Sequence, residues 1–150
     1  MAPTTELDRV VADRLDRHDM RYTSGRRAIV AALRSIGGPV TLPDLLAFSG
    51  EITQSSAYRN LALMQDAGVV RRLVHGADHA HFELAEELTE HHHHLICETC
   101  GSVEDFTLDD ELERLLDAAF AKVARAADAT PSSHLIDVFV VCAECGATGD

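Results

Sequence analysis

Four cysteines lie in two Cys-x-x-Cys pairs, each followed by glycine, in the second half of this 150-residue sequence. The pairs are Cys97 with Cys100 and Cys142 with Cys145. The turn within each pair directs both sulfur atoms to one point, and four thiolates suit tetrahedral Zn²⁺. Because four protein ligands leave no open coordination position, we expect a structural zinc ion that stabilises a small domain with a thin core. A redox pair or unliganded cysteines are the alternative.

Four consecutive histidines, residues 91–94, lead directly into the first cysteine pair. If this stretch is extended, alternate side chains point to opposite faces, so His91 and His93 share one face while His92 and His94 share the other. The sequence therefore predicts two sites with two ring nitrogens each. Candidates for the remaining ligands are His79, His81, Glu83, Asp105, Glu113 and His134. Such mixed nitrogen and oxygen donors suit Zn²⁺, Fe²⁺, Mn²⁺ or Ni²⁺.

The charge is divided unevenly along the chain, whose formal net charge is −12. Residues 1–72 have ten Arg and eight Asp or Glu, a net charge of +2, and residues 73–150 have three Lys or Arg and seventeen Asp or Glu, a net charge of −14. This division indicates two modules with different partners. Two solvated faces of one domain are the alternative.

The apolar segments predict neither a signal peptide nor a membrane span. Charged residues interrupt the first twenty positions, and no apolar run approaches membrane-spanning length. We therefore expect a cytoplasmic protein, in which reducing conditions favour metal binding by cysteine over disulfide formation.

The first half of the chain has the periodicity of short helices followed by a β-hairpin. We predict one helix over residues 5–19, a second that Thr23 or Ser24 caps and Gly37 ends, a third that opens at Thr41 and runs through Phe48, and a fourth over 54–67 that Thr53 caps and Gly68 ends. Short β-segments follow over 69–84, around a turn at 75–78. This order is typical of a winged helix-turn-helix domain.

The second half has a different pattern. Strands are predicted over residues 93–97, 102–107 and 135–141, and an amphipathic helix over 109–127. The expected fold class is therefore α+β. It combines an N-terminal winged helix-turn-helix domain (1–84), a hinge (85–91) and a small C-terminal α/β domain (92–150).

Four segments together resemble the ferric uptake regulator (Fur) family: RYTSGRRAIVAAL (21–33), QSSAYRNLALMQDAGVVRRL (54–73), HHHHLICETCGSVEDF (91–106) and CAECG (142–146). The resemblance covers nearly the whole chain in the same order. It implies a DNA-binding domain followed by a dimerisation domain in a homodimeric, metal-dependent repressor. Such a repressor controls metal-homeostasis or oxidative-stress genes and binds double-stranded DNA at an AT-rich palindromic operator.

The resemblance also implies a role for each candidate ligand. The cysteines match a structural zinc site, and the regulatory site matches His92, His94, Glu83 and Asp105. A third site matches His91, His93 and His134, with Glu113 as its carboxylate and Glu111 as the fallback. Some members contribute a histidine where this chain has Pro39, so we expect His79 and His81 to substitute in the regulatory site. The all-histidine run favours zinc slightly over iron or manganese, and nickel or peroxide sensing remains an alternative.

DNA recognition is expected from the fourth helix. Tyr58 can contact thymine methyl groups, and Arg59 can reach phosphate or guanine. Further contacts are predicted for Ser55, Ser56, Arg21, Arg26, Arg27, Arg71 and Arg72. A half-buried core position is the alternative for Tyr58.

Two other function classes have weaker support. An enzyme is not expected, because the sequence has no H-E-x-x-H motif, no glycine-rich phosphate loop and no Ser or Cys nucleophile beside a base. A metal-storage protein without DNA binding would not require Tyr58 and Arg59 on a capped helix, nor an arginine-rich first half.

Overall fold

A computed structural model describes residues 5–74 and 80–147 of the chain. The chain divides into two compact units, residues 1–91 and residues 92–150. The predicted turn at 75–78 and the predicted ligand His79 lie outside the described residues. A short 3-10 turn, Glu86–Leu88, lies within the segment that we predict to be the hinge.

Four helices form most of the first unit, and the same capping chemistry begins each of them. They are α1 (Glu6–Asp16), α2 (Ser24–Ile36), α3 (Leu42–Phe48) and α4 (Gln54–Asp66). The residue before each helix is a threonine whose side chain accepts a hydrogen bond from a backbone N–H in the first turn. Because these first N–H groups have no partner within the helix, such caps determine where the chain becomes helical.

Two helix ends differ in how well the sequence predicts them. Helix α2 ends at Gly37, whose φ of 74° is the left-handed conformation that glycine adopts without a steric penalty. Helix α1 ends at Asp16, three residues before the predicted end, and Asp19 has a φ of 56°. A non-glycine residue in this region is uncommon, which explains why the sequence did not indicate the earlier end.

A small antiparallel sheet completes the first unit. Its strands are β1 (Val40–Thr41), β2 (Val70–Val74) and β3 (Ala80–Leu84), in the order β1-β3-β2. The two-residue strand β1 was not predicted, because it is too short to show any periodicity. The helices followed by this sheet form the predicted winged arrangement.

The first unit has an extensive apolar core. Leu15, Ile29, Leu45 and Met64 from the four helices are fully buried in it. Strand β3 contributes Phe82 and Leu84 from one face. Because strand side chains alternate, His81 and Glu83 lie on the opposite face, where both are buried.

The second unit is a three-stranded sheet with one long helix. Its elements are β4 (His93–Cys97), β5 (Val103–Phe106), α5 (Asp110–Ala126), β6 (Asp137–Val140) and α6 (Ala143–Ala147). The central strand β4 pairs antiparallel with β5 and parallel with β6. The strand and helix assignments agree with the sequence, except that β6 is shorter than predicted and α6 was missed because it has only five residues.

Helix α5 is amphipathic but has no buried residue. Its apolar side chains follow helical spacing on one side, and several of them are exposed: Leu112, Leu115, Phe120 and Val123. Within the described ranges, no helix is long and apolar enough to cross a membrane.

Candidate metal centres and DNA-contacting surface

The two cysteine pairs converge at one end of the second unit. The four sulfur atoms all lie within 4.8 Å of one another: those of Cys97, Cys100, Cys142 and Cys145. The Cys100 and Cys142 sulfurs are 3.8 Å apart. After the first pair, Gly101 has a φ of 75° and its N–H bonds to the Cys97 carbonyl at 2.9 Å, as the predicted turn requires.

The second pair differs from the first. Gly146 lies inside α6, and Cys145 is positioned by that short helix, with the Gly146 N–H bonded to the Cys142 carbonyl at 2.8 Å. Both pairs therefore make the same hydrogen bond from the glycine N–H to the first cysteine carbonyl and direct their sulfurs to one place, but of the two glycines only Gly101 has a positive φ.

Hydrogen bonds lower the pKa of two of these thiols. Hydrogen bonds from the backbone at Cys100 and then Cys142 lower the pKa of Cys97 to about 6, and the Cys142 N–H lies 3.3 Å from its sulfur. Hydrogen bonding with the Ser102 side chain lowers the pKa of Cys100. Because the thiolate is the form that binds metal, these contacts favour ligation. Hydrogen bonding with the Cys142 side chain instead raises the pKa of Cys145 to about 12.

A second cluster joins β4, α5 and the segment before β6. The Glu113 carboxylate lies 2.7 Å from His93 Nε2 and 3.2 Å from His134 Nε2. The two imidazole rings stack with centroids 5.3 Å apart. The structure thus places Glu113 in the cluster, whereas the fallback residue Glu111 is exposed and outside it. The remaining predicted ligand, His91, ends the first unit, where its Nδ1 contacts Glu86.

A third cluster lies on the opposite face of β4. The two oxygens of Asp105 lie 3.7 Å from His92 Nε2 and 3.5 Å from His94 Nε2. His94 is fully buried, and the two histidine rings meet edge to face at 5.1 Å. Strand alternation therefore separates His93 from His94, as the sequence predicts. The predicted ligands Glu83 and His81 belong to the first unit.

The donor atoms fit divalent metal ions in all three places. Four sulfurs provide a soft, closed set that suits zinc. The two histidine clusters each combine Nε2 atoms with a carboxylate within 4.8 Å, which suits borderline ions such as Zn²⁺, Fe²⁺ and Mn²⁺.

Two carboxylates near these clusters were absent from the predicted ligands. Asp137 Oδ1 lies 3.1 Å from His94 Nδ1, and Asp117 Oδ1 lies 3.1 Å from His134 Nδ1. Helical spacing would have indicated Asp117, four residues after Glu113 on α5. Asp137 depends on how β6 aligns with β4, for which the sequence has no signal.

The recognition helix α4 presents an exposed polar end. Tyr58 is 66% exposed, so the alternative of a half-buried core tyrosine is wrong. Gln54, Ser55, Tyr58 and Arg59 line one open pocket of about 640 Å³. The neighbouring Ser56 is less exposed, and its hydroxyl accepts a hydrogen bond from Asn60 Nδ2 at 3.2 Å.

Several predicted DNA-contacting arginines have partners within the first unit. Arg26 donates to Asn60 Oδ1 at 3.0 Å, which ties α2 to α4, and to the Arg21 carbonyl at 2.6 Å. The Arg71 guanidinium lies 2.6 Å from the buried Glu83 carboxylate. Sequence reasoning missed the buried Asn60, which links Ser56 to Arg26.

The remaining predicted arginines lie nearer to solvent. Arg27 stacks over the Tyr22 ring at 4.1 Å, with its side chain half exposed. Arg21 and Arg72 are exposed.

Comparison with known proteins identifies the family. The model of the ferric uptake regulator family matches residues 17–139. The chain belongs to this family. The peroxide-responsive repressor PerR of Staphylococcus epidermidis is 30% identical over 151 residues, covering 97% of this chain and 93% of the relative.

Solved structures agree with this assignment. The Vibrio cholerae ferric uptake regulator is 27% identical with a TM-score of 0.65, covering 87% of this chain and 98% of that one. The Helicobacter pylori ferric uptake regulator, 23% identical, shares the fold with a TM-score of 0.69 over the full length of both chains.

Membership in the ferric uptake regulator family establishes the general function. The chain is a metal-responsive, DNA-binding transcriptional repressor, and its relatives are regulators rather than enzymes. The predicted α+β fold, with a winged-helix domain followed by a small α/β domain, is also that of the family. The zinc branch of the family, which the histidine run favours, stays a prediction.

Proposed function

We propose that this chain is a homodimeric repressor whose operator binding requires a divalent metal at the cluster of His92, His94 and Asp105. The observation that carries the proposal is the convergence of two Nε2 atoms on the two oxygens of one carboxylate, with both histidines buried. Buried histidines beside a carboxylate are typical of a metal site.

These side chains would hold the ion, which supplies the positive charge that lets a carboxylate and two lone-pair donors approach one another. From the first unit we propose Glu83 as a further ligand of the same ion, together with His79 or His81. This assignment rests on the match of these residues to the family pattern. Residues 85–91 are then the hinge between a DNA-binding domain (1–84) and a dimerisation domain (92–150).

The switch follows from geometry. Recognition helices in a dimer must match half-sites about one helical turn apart. A free hinge samples many orientations, and only the competent fraction binds, whereas ligands shared between the two domains restrict the hinge and remove that penalty. In this scheme the four cysteines hold a structural zinc. His93, Glu113 and His134, with His91, form an additional site.

The proposed dimer interface is the exposed apolar side of α5. Leu115 is 62% exposed and Val123 is 69% exposed, in a helix with no buried residue. A contiguous apolar face of this kind marks an interaction surface. A second copy of the chain would bury this face. The resulting dimer would present two α4 helices to the two half-sites of an AT-rich palindrome in double-stranded DNA.

Tyr58 and Arg59 are the proposed base-reading residues, because both are exposed at the first half of α4. Ser55, Ser56, Arg21, Arg27 and Arg72 are proposed as supporting contacts to the phosphates. For Arg26 and Arg71, the ion pair and hydrogen bonds described above favour a role in orienting α4 and the wing.

Zinc is the slightly favoured regulatory metal over iron or manganese, because all four residues of the run are histidine. Peroxide sensing is the second candidate, and the 30% identity to a peroxide-responsive repressor favours it. Nickel sensing and metal storage without DNA binding have no comparable support.

The deciding experiment compares His92→Ala with His18→Ala, an exposed histidine in the loop after α1. Operator binding is measured by fluorescence anisotropy while Zn²⁺, Fe²⁺ or Mn²⁺ is added to partly chelated protein that retains its structural zinc. We expect His18→Ala to respond as wild type and His92→Ala to lose the metal response. Full metal-dependent binding by His92→Ala would disprove this assignment of the regulatory site.

Peroxide treatment separates the two candidates. Zinc has no redox chemistry, so a zinc-loaded repressor should keep its operator affinity after exposure to hydrogen peroxide. If only the iron-loaded protein binds DNA and peroxide abolishes that binding, the peroxide-sensing candidate replaces the zinc one.

A further inference from the structure

One row of side chains crosses the sheet of the second unit. His94 on the central strand β4 is aligned with Asp105 on β5 and with Asp137 on β6. Residues aligned across neighbouring strands point to the same face. The row therefore reads carboxylate, imidazole, carboxylate, with the fully buried histidine in the middle.

The two carboxylates contact different nitrogens of this ring. Asp105 Oδ1 lies 3.5 Å from Nε2, on the side shared with His92. Asp137 Oδ1 lies 3.1 Å from Nδ1, which is hydrogen-bonding distance. In a neutral imidazole one nitrogen carries the proton and the other has the lone pair, so the hydrogen bond made by one decides what the other can bind.

We infer that Asp137 is a positioning residue that accepts the Nδ1–H of His94 and thereby presents the Nε2 lone pair toward His92 and Asp105. The inference rests on the proposed metal site and adds to it a residue that is not itself a ligand. A carboxylate in this outer position fixes both the tautomer and the ring orientation, and it makes the ligand nitrogen more basic.

The additional cluster has the same arrangement and provides a matched control. There Asp117 Oδ1 lies 3.1 Å from His134 Nδ1, while His134 Nε2 faces Glu113. Asp117 is 67% exposed, whereas Asp137 is 33% exposed. Solvent weakens the exposed contact, so Asp137 should have the larger effect on its own site.

The experiment uses full-length protein with its structural zinc in place and compares Asp137→Ala, Asp137→Asn and Asp117→Ala. Affinity for added Zn²⁺ at the His92 cluster is measured by competition with a chromophoric chelator, with His92→Ala identifying that site. We expect Asp137→Ala to weaken binding about 10- to 100-fold. Asp137→Asn loses the charge and adds an amide N–H that can favour the other tautomer, so it should also bind Zn²⁺ more weakly than wild type. Asp117→Ala should leave this site unchanged.

A second readout tests the tautomer directly. Long-range proton–nitrogen NMR spectra of the zinc-loaded protein should show His94 protonated at Nδ1 and bound through Nε2. In Asp137→Ala that preference should weaken. Two controls would show that the variants fold. They should retain the structural zinc, and before Zn²⁺ is added to the His92 cluster their melting temperature should equal that of wild type.

The outcomes distinguish failure of the positioning role of Asp137 from failure of the proposed metal site. If wild type and His92→Ala bind the same amount of Zn²⁺, the metal site itself is misassigned. If wild type binds but Asp137→Ala is equally tight, or His94 binds through Nδ1, the positioning role is overturned.

Discussion

The interiors of the two units of this repressor differ in composition. Apolar side chains from every helix and from β3 fill the core of the first unit. Leu61 and Met64 of α4 are examples. Among the described residues of the second unit, the buried apolar ones are Ile96 and Cys97, and the neighbouring buried positions are His92, His93 and His94. Helix α5 leaves its apolar side exposed.

This contrast indicates different sources of stability. The first unit gains its stability from apolar burial, at about 25 cal/mol per Å². A single copy of the second unit buries little apolar surface, and ions held by its buried imidazoles and its four sulfurs would add stability there. Metal is therefore expected to control the second unit while the first remains folded.

The largest expected effect is that of removing the structural zinc. Zinc bound by four cysteines contributes about 10–16 kcal/mol in small zinc domains. Strong chelation or Cys142→Ser should therefore unfold the second unit while the first keeps its protection in hydrogen exchange measured by mass spectrometry. Protection of β4 and β6 that survives zinc loss would show that their apolar contacts suffice.

The next effect tests the apolar core. Leu61→Ala should destabilise the first unit by about 2–5 kcal/mol, because this leucine is fully buried in α4. Thermal unfolding should show the loss, while the zinc content stays at the wild-type value. Val74→Ala, at an exposed position of the same unit, is the control. Equal melting temperatures for both variants would contradict the assigned core.

A smaller effect concerns the exposed side of α5. Leu115→Asp places a charge on the proposed dimer interface and should weaken dimerisation by about 2 kcal/mol or more, roughly 30-fold. Sedimentation equilibrium measures the dissociation constant. Arg114→Ala, which changes the adjacent exposed residue, should have little effect. A Leu115→Asp protein that remains dimeric at wild-type concentrations would place the interface elsewhere.

The smallest effect concerns the start of the first unit. Asp8 forms a capping box with Thr5 and accepts the Tyr22 hydroxyl at 2.8 Å. The Thr5 backbone N–H is the main cause of its lowered pKa. Asp8→Ala should cost about 1–2 kcal/mol at pH 7.

The pH dependence follows from the sign of this shift. Because the folded-state pKa lies below the unfolded value, the contribution is present above about pH 4 and is lost as pH falls through the folded-state pKa. Wild type and Asp8→Ala should therefore differ less in strong acid, as measured by urea unfolding. Tyr22→Phe should cost less than Asp8→Ala at neutral pH. A difference that grows in acid would contradict the ionised role of Asp8.

Local chemistry explains how much of the fold was predictable. A threonine before a helix, a glycine after one and alternation along a strand act within a few residues, so the caps of α2 and α4 and the opposite faces of His93 and His94 follow from the sequence. The elements β1 and α6 were not predicted, because they are too short to show a periodic pattern.

The order, spacing and types of the residues were thus sufficient for two modules, a four-sulfur cluster and two histidine clusters on opposite faces of one strand. Only the tertiary structure decided which distant groups complete these clusters. It selected Glu113 over Glu111, brought Asp137 to His94, and paired Arg26 and Arg71 with Asn60 and Glu83. Such choices depend on strand register and helix packing, which join residues far apart in sequence and leave no local pattern.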